Sequence, residues 1–138
     1  MTKDPWEHGS LIPYGNASSI SGFETINDWI PGQNGNLKGP VSFIAASSPG
    51  AKVTFAFQGT KVGLYSVVGP DSAAVEYRID DADWVKLDTA RDSWYPNDWY
   101  RLNGFVLETA LADGAHTITF RTTENPGRVF RLFRLMVG

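Results

Sequence analysis

Residues 91–102 read RDSWYPNDWYRL and set Trp94, Tyr95, Trp99 and Tyr100 among Arg91, Asp92, Asn97 and Asp98. Flat rings interleaved with hydrogen-bonding side chains suit one kind of chemistry that needs no covalent step. A sugar presents apolar C–H faces that lie on indole and phenol rings, while its hydroxyls pair with carboxylate, amide and guanidinium groups. These eight residues are therefore the expected carbohydrate contacts. The same rings could instead fold inward and cap one end of a core, since Trp and Tyr are amphipathic. Trp94 and Tyr95 precede a proline and are expected in extended geometry, pointing opposite ways. The expectation is a split, with about half of the four rings inside and half facing a partner.

Covalent chemistry finds little support. Ser-His-Asp hydrolysis needs an exposed serine elbow, and no G-x-S-x-G occurs. The histidines are His8, near the start, and His116, which alternates with Ile118 and Phe120 and is expected to be buried or at an edge, bonded to backbone. Asp71, Asp80, Asp81, Asp83, Asp88, Asp92 and Asp98 could supply the paired carboxylates of a glycosidase. Most stand where a turn is expected, and a turn uses Asp for local hydrogen bonds. Asp80, Asp81 and Asp83 lack the spacing of a calcium loop, so an acidic turn is the expectation there. A structural Ca²⁺ built from carbonyls would leave no mark in sequence; otherwise no cofactor is expected, and the phosphate-loop motifs are absent.

The elements that would carry these groups are strands. The chain has 138 residues, enough for one domain with its own core. AKVTFAF (51–57) alternates Val53, Phe55 and Phe57 against polar or small residues, and AAVEYRID (73–80) does so with Val75, Tyr77 and Ile79. Further strands are expected at 40–46, 61–68, 84–89, 100–108, 110–122 and 128–137, separated by turn residues every 8–12 positions. Asp113-Gly114 is the strongest hairpin signal, and 107–113 has room for one helical turn. Residues 1–39 read as a loop-rich N-terminal arm packed on a sandwich of 40–138. The expected fold is all-β, an antiparallel β-sandwich of jelly-roll type with about eight strands in a single domain, 1–138.

Net charge is −3 and there are no cysteines, which disfavours nucleic acid and excludes disulfides and thiolate metal sites. The stretch MTKDPWEHGS has no apolar core, so no signal peptide is expected in the chain, and no run is long enough for a membrane span.

The stretch PGAKVTFAFQGTKVGLYSVVGPDSAAVEYRIDDADWVKLDT, with LADGAHTITFR and RVFRLFRLMV after it, resembles the β-sandwich accessory domains of SGNH/GDSL-type hydrolases and other bacterial carbohydrate-active enzymes. The resemblance covers about 40–138, with an echo at NDWIPG. It departs from the pattern at Asp81-Ala82-Asp83 and in the Trp/Tyr-rich 91–100. It implies a non-catalytic module of a secreted or periplasmic enzyme. Such a module binds a glycan or polysaccharide, or shapes the cleft of a catalytic hydrolase domain without affinity of its own. A purely structural or protein-interaction sandwich is the third possibility.

Overall fold

A computed structural model describes residues 10–29, 41–69, 71–89, 101–123 and 127–138. Among these residues there are eleven strands and one short 3-10 turn, Tyr14–Asn16. The strands are β1 (Ser10–Pro13), β2 (Ser19–Ser21), β3 (Glu24–Trp29), β4 (Val41–Ala46), β5 (Lys52–Gln58), β6 (Val62–Val68), β7 (Val75–Ile79), β8 (Val85–Leu87), β9 (Arg101–Glu108), β10 (Ala115–Thr122) and β11 (Phe130–Val137). No helix among them is long and apolar enough to cross a membrane.

The strands form two antiparallel sheets. The first has the order β3-β4-β11-β6-β9, with β1 also on β11; the second has the order β2-β5-β10-β7-β8. β4 and β1 share one side of β11, β4 along Phe130–Leu132 and β1 along its last four residues. Among the described strands, only β3/β4 and β7/β8 are consecutive strands paired in one sheet; every other consecutive pair is divided between the sheets, the wiring of a jelly roll. Each strand turns one face inward, and the inward faces close an apolar core. Val53, Phe55, Val75, Ile118 and Phe120 from the second sheet meet Ile44, Val62, Leu64, Phe130, Leu132 and Leu135 from the first. Phe120 and Phe130 face each other across the layers at 6.2 Å.

Three expectations need correction. The stretch expected to be a loop-rich arm contributes β1, β2 and β3, two strands to the first sheet and one to the second. These strands are short and largely exposed, so they carry no apolar alternation strong enough to read. Hence eleven strands, not about eight. Asp113-Gly114 does not close a hairpin, because β9 and β10 belong to different sheets. A type I′ turn needs positive φ at both central residues, and of the two only Gly114 has it, at 142°. Finally, 107–113 is not helical; Leu107 and Glu108 end β9, and Leu111 packs against the core and donates its backbone N–H to Thr60 O.

Candidate functional site

The strand ends that flank five connections meet at one end of the sandwich: β2–β3, β4–β5, β6–β7, β8–β9 and β10–β11. Their near ends are fixed by polar contacts. Thr122 Oγ1 donates to Ser48 O and accepts from Ala51 N, which ties the β4–β5 turn to β10. Thr89 Oγ1 donates to Ala73 O. Asp71 and Arg131 form a two-pronged ion pair, both N···O distances being 2.8 Å. Arg128 donates to Ser72 O at 3.1 Å.

The eight residues expected to contact carbohydrate, Arg91, Asp92, Trp94, Tyr95, Asn97, Asp98, Trp99 and Tyr100, lie outside the described residues. Their described neighbours in the chain are Thr89 and Arg101. Thr89 follows β8, an edge strand of the second sheet. Arg101 opens β9, an edge strand of the first, and pairs with Val68. Thr89 and Arg101 thus stand on different sheets at this same end.

Beside this end, on the outer face of the first sheet, a groove of about 210 Å³ runs between Trp29, Glu24, Ser47, Val129 and Arg131. Its geometry depends on a break in β3. Glu24 opposes Ala45 and Ile26 opposes Phe43, so both face outward. Strict alternation would then turn Trp29 inward. One extra residue is accommodated between Ile26 and Trp29, where the register shifts and Trp29 opposes Val41. Such a bulge re-aims the side chain that follows it. Asp28 absorbs the kink at φ 53°, its N–H bonded to Ser42 Oγ at 3.0 Å. Asp tolerates this left-handed conformation better than most residues. Trp29 therefore shares the outer face with Glu24, packs edge-on against Phe43 at 5.4 Å, and has the Arg131 guanidinium 5.3 Å from its ring centre.

The outer face of the second sheet carries another tryptophan. Trp84 directly precedes β8, and the Arg121 guanidinium lies 3.8 Å and that of Arg78 4.9 Å from its ring centre. Arg121 Nε donates to Glu76 Oε1 at 2.7 Å. Thr54 and Thr119 share a hydrogen bond of 3.0 Å across β5 and β10.

His116 is spoken for. Nδ1 faces Asp80 Oδ2 at 2.6 Å and Nε2 faces the Ala112 carbonyl, with the ring 11% exposed. Both neighbours are acceptors, so both ring nitrogens must donate. The Ala112 carbonyl first, then the Asp80 carboxylate, holds the ring's pKa above its ordinary value. In turn His116, and then the Thr117 N–H, keeps the Asp80 carboxyl below the usual range. A histidine with both nitrogens bound has no lone pair for a nucleophile, so this pair is a clamp between the β7–β8 turn and β10. Asp80, at φ 54°, is thereby committed to the turn, while Asp81 and Asp83 are exposed. Among the described residues no group of three or more acidic or His side chains converges on a point where a metal ion could sit.

Two of these arrangements escaped sequence reasoning. Trp29 reaches its groove through a register shift whose only trace is the pair Asn27-Asp28. Trp84 and Arg121 are 37 positions apart and meet only through the β10–β7–β8 register.

No protein-family model matches the sequence, and no curated protein is similar to it. Solved structures share the fold. A two-domain esterase active on acetylated mannans, co-crystallized with mannopentaose, superposes with a TM-score of 0.69 at 20% identity, covering 99% of this chain. The chain spans 38% of that enzyme's length. A family 6 carbohydrate-binding module from Clostridium cellulolyticum in complex with xylose gives 0.59 at 16% identity, covering 91% of this chain and 94% of the module. The CBM36-1 domain of a multidomain xylanase from the hindgut metagenome of Trinervitermes trinervoides gives 0.57 at 14% identity, covering 94% and 96%. At these identities the likeness establishes a β-sandwich of the kind found in carbohydrate-binding modules and in accessory domains of carbohydrate esterases.

Proposed function

We propose that this chain is a non-catalytic carbohydrate-binding domain that holds a neutral glycan at the end of the sandwich where those strand ends meet. The observation that carries the proposal is the bulge in β3, which sets Trp29 on the outer face over a groove walled by Glu24, Ser47 and Arg131. An indole beside a carboxylate and a hydroxyl supplies the stacking surface and the hydroxyl partners that a sugar unit needs. The Asp71 carboxylate holds the Arg131 guanidinium by both terminal nitrogens, so this wall of the groove is fixed before any ligand arrives.

Trp94, Tyr95, Trp99 and Tyr100, with Arg91, Asp92, Asn97 and Asp98, belong to the proposal as further contacts. Their inclusion rests on their residue types and on the position of Thr89 and Arg101 at the groove's end of the sandwich. The sugar classes to test first are those bound or processed by fold neighbours: xylose units, mannan fragments and β-1,3-linked galactan. The neighbours that are longer chains suggest a second element, service as one domain of a secreted carbohydrate-active enzyme, where the bound glycan is delivered to a catalytic partner. Isothermal titration of xylo-, manno- and galacto-oligosaccharides against the folded chain tests the reading. Saturable binding that Trp29→Ala and Trp99→Ala each weaken about tenfold supports it, taking ~1–3 kcal/mol per stacked ring. No binding to any of these glycans would overturn it, in favour of a domain that shapes its catalytic partner without affinity of its own.

A further inference from the structure

The outer face of the second sheet is organised differently from the groove. Strand register lines up Lys52, Arg121, Glu76 and Lys86 across β5, β10, β7 and β8, with Arg78 and Trp84 in the adjoining row. These rows hold four cations, Lys52, Lys86, Arg78 and Arg121, against the one carboxylate of Glu76, in a chain whose net charge is −3. The two arginines are set up to receive an anion. The Arg121 guanidinium sits over the indole, 3.8 Å from its centre, held there by the bond from Nε to Glu76, and its terminal nitrogens make no hydrogen bond among the described residues. Arg78, beside the same ring, makes none either. A stacked guanidinium keeps its donors in plane and pointing past the ring edge, the geometry that a carboxylate accepts two-pronged. Because Arg121 is already immobilised, little side-chain freedom is lost on binding.

We propose that this face is a second binding site, for the carboxylates of an acidic polysaccharide, and that it works independently of the neutral-sugar groove. Side chains in one row are spaced about 4.8 Å from strand to strand, the scale of a sugar unit, so a chain laid across the strands can present its acid groups to several cations. Glu76 in the middle of the row and the acidic balance of the chain disfavour the continuous phosphate track of a nucleic acid.

The test is native affinity electrophoresis of the whole chain in gels containing polygalacturonate or its fully methyl-esterified form. The acid polymer retards the chain, the ester does not, and retardation disappears near about 1 M salt, where charges are screened within a few ångströms. Arg78→Gln and Arg121→Gln each weaken retention about tenfold, and the exposed Lys86→Gln about twofold. Arg78 has no hydrogen bond to lose among the described residues, so if Arg121→Gln unfolds, Arg78→Gln decides. Trp29→Ala leaves acid binding intact, which separates this site from the groove whatever the neutral-sugar result. Equal retardation by the ester, unchanged retention in Arg78→Gln, or displacement by single-stranded DNA as effective as by free oligogalacturonate would each overturn the proposal.

Discussion

The two outer faces use the same pair of side chains, a tryptophan and an arginine, to different ends. On the first sheet Arg131 is 10% exposed and both prongs of its guanidinium are taken by Asp71. On the second sheet Arg121 is 34% exposed and gives Glu76 only its Nε. Trp29 reaches its face through a bulge that breaks the alternation of β3, and its ring stands edge-on to Phe43. Trp84 arrives from the β7–β8 turn and is covered by the Arg121 guanidinium. A residue pair thus does not set a surface's chemistry; what the arginine has left to donate does. The first face offers an aromatic wall with a charge already neutralised, suited to an uncharged ring. The second offers uncommitted donors, suited to an anion.

Both faces rest on one core, and the largest perturbation should remove them together. Phe130→Ala deletes a fully buried ring between Phe23 and Phe120. Thermal or denaturant unfolding should show a loss of about 3–5 kcal/mol, with both binding activities failing at the same denaturant concentration. Separate failure would mean that the sheets are not one cooperative unit. Next in size, Asp71→Ala removes the two-pronged partner of a nearly buried guanidinium. We expect about 1–2 kcal/mol of destabilisation, discounted because Asp71 is itself 33% exposed, together with weaker neutral-glycan binding. Glu76→Gln on the opposite face should cost under about 1 kcal/mol, as befits a pair about one-third exposed, and leave neutral binding unchanged. Equal losses in the two variants would erase the distinction drawn between the arginines.

The smallest expected effect is on pH. His116 is raised above its ordinary 6.5 in the fold, so its contribution is full below that value and is lost as pH rises through the folded-state pKa. Asp80 is lowered below its ordinary 3.8, so its contribution is full above that value and is lost as pH falls through the folded-state pKa. Melting temperature against pH should therefore fall at both limits. His116→Gln should flatten the alkaline side while leaving both binding faces unaffected, since the pair clamps the end of the sandwich away from the groove. An unchanged alkaline slope in His116→Gln would remove His116 as its source.

Much of the frame was legible in the sequence because burial writes itself as alternation. Val53, Phe55 and Phe57 in β5, Val75 in β7, and Ile118 and Phe120 in β10 are all buried as their period-2 pattern requires. What stayed hidden was decided at a distance. Asp113-Gly114 announces a reversal of the chain, but the pairing of β10 with β5 and β7 is set by core packing across the sandwich. β1 to β3 lie on sheet edges or in half-exposed positions, where an apolar stripe is not demanded. For the candidate site, the residue types of 91–100 pointed to sugar contact, whereas Trp29 and its groove depend on a register shift that no spacing rule encodes. His116 was read as backbone-bonded; the Ala112 contact agrees, and the Asp80 partner comes from a turn 36 positions earlier.

The most direct test sets the two tryptophans side by side. Trp29→Ala and Trp84→Ala, each confirmed folded by near-ultraviolet circular dichroism, are titrated with the neutral oligosaccharide that binds the parent chain best. The account predicts about tenfold weaker binding in Trp29→Ala and an unchanged constant in Trp84→Ala. Unchanged binding in Trp29→Ala, or an equal loss in both, would contradict it.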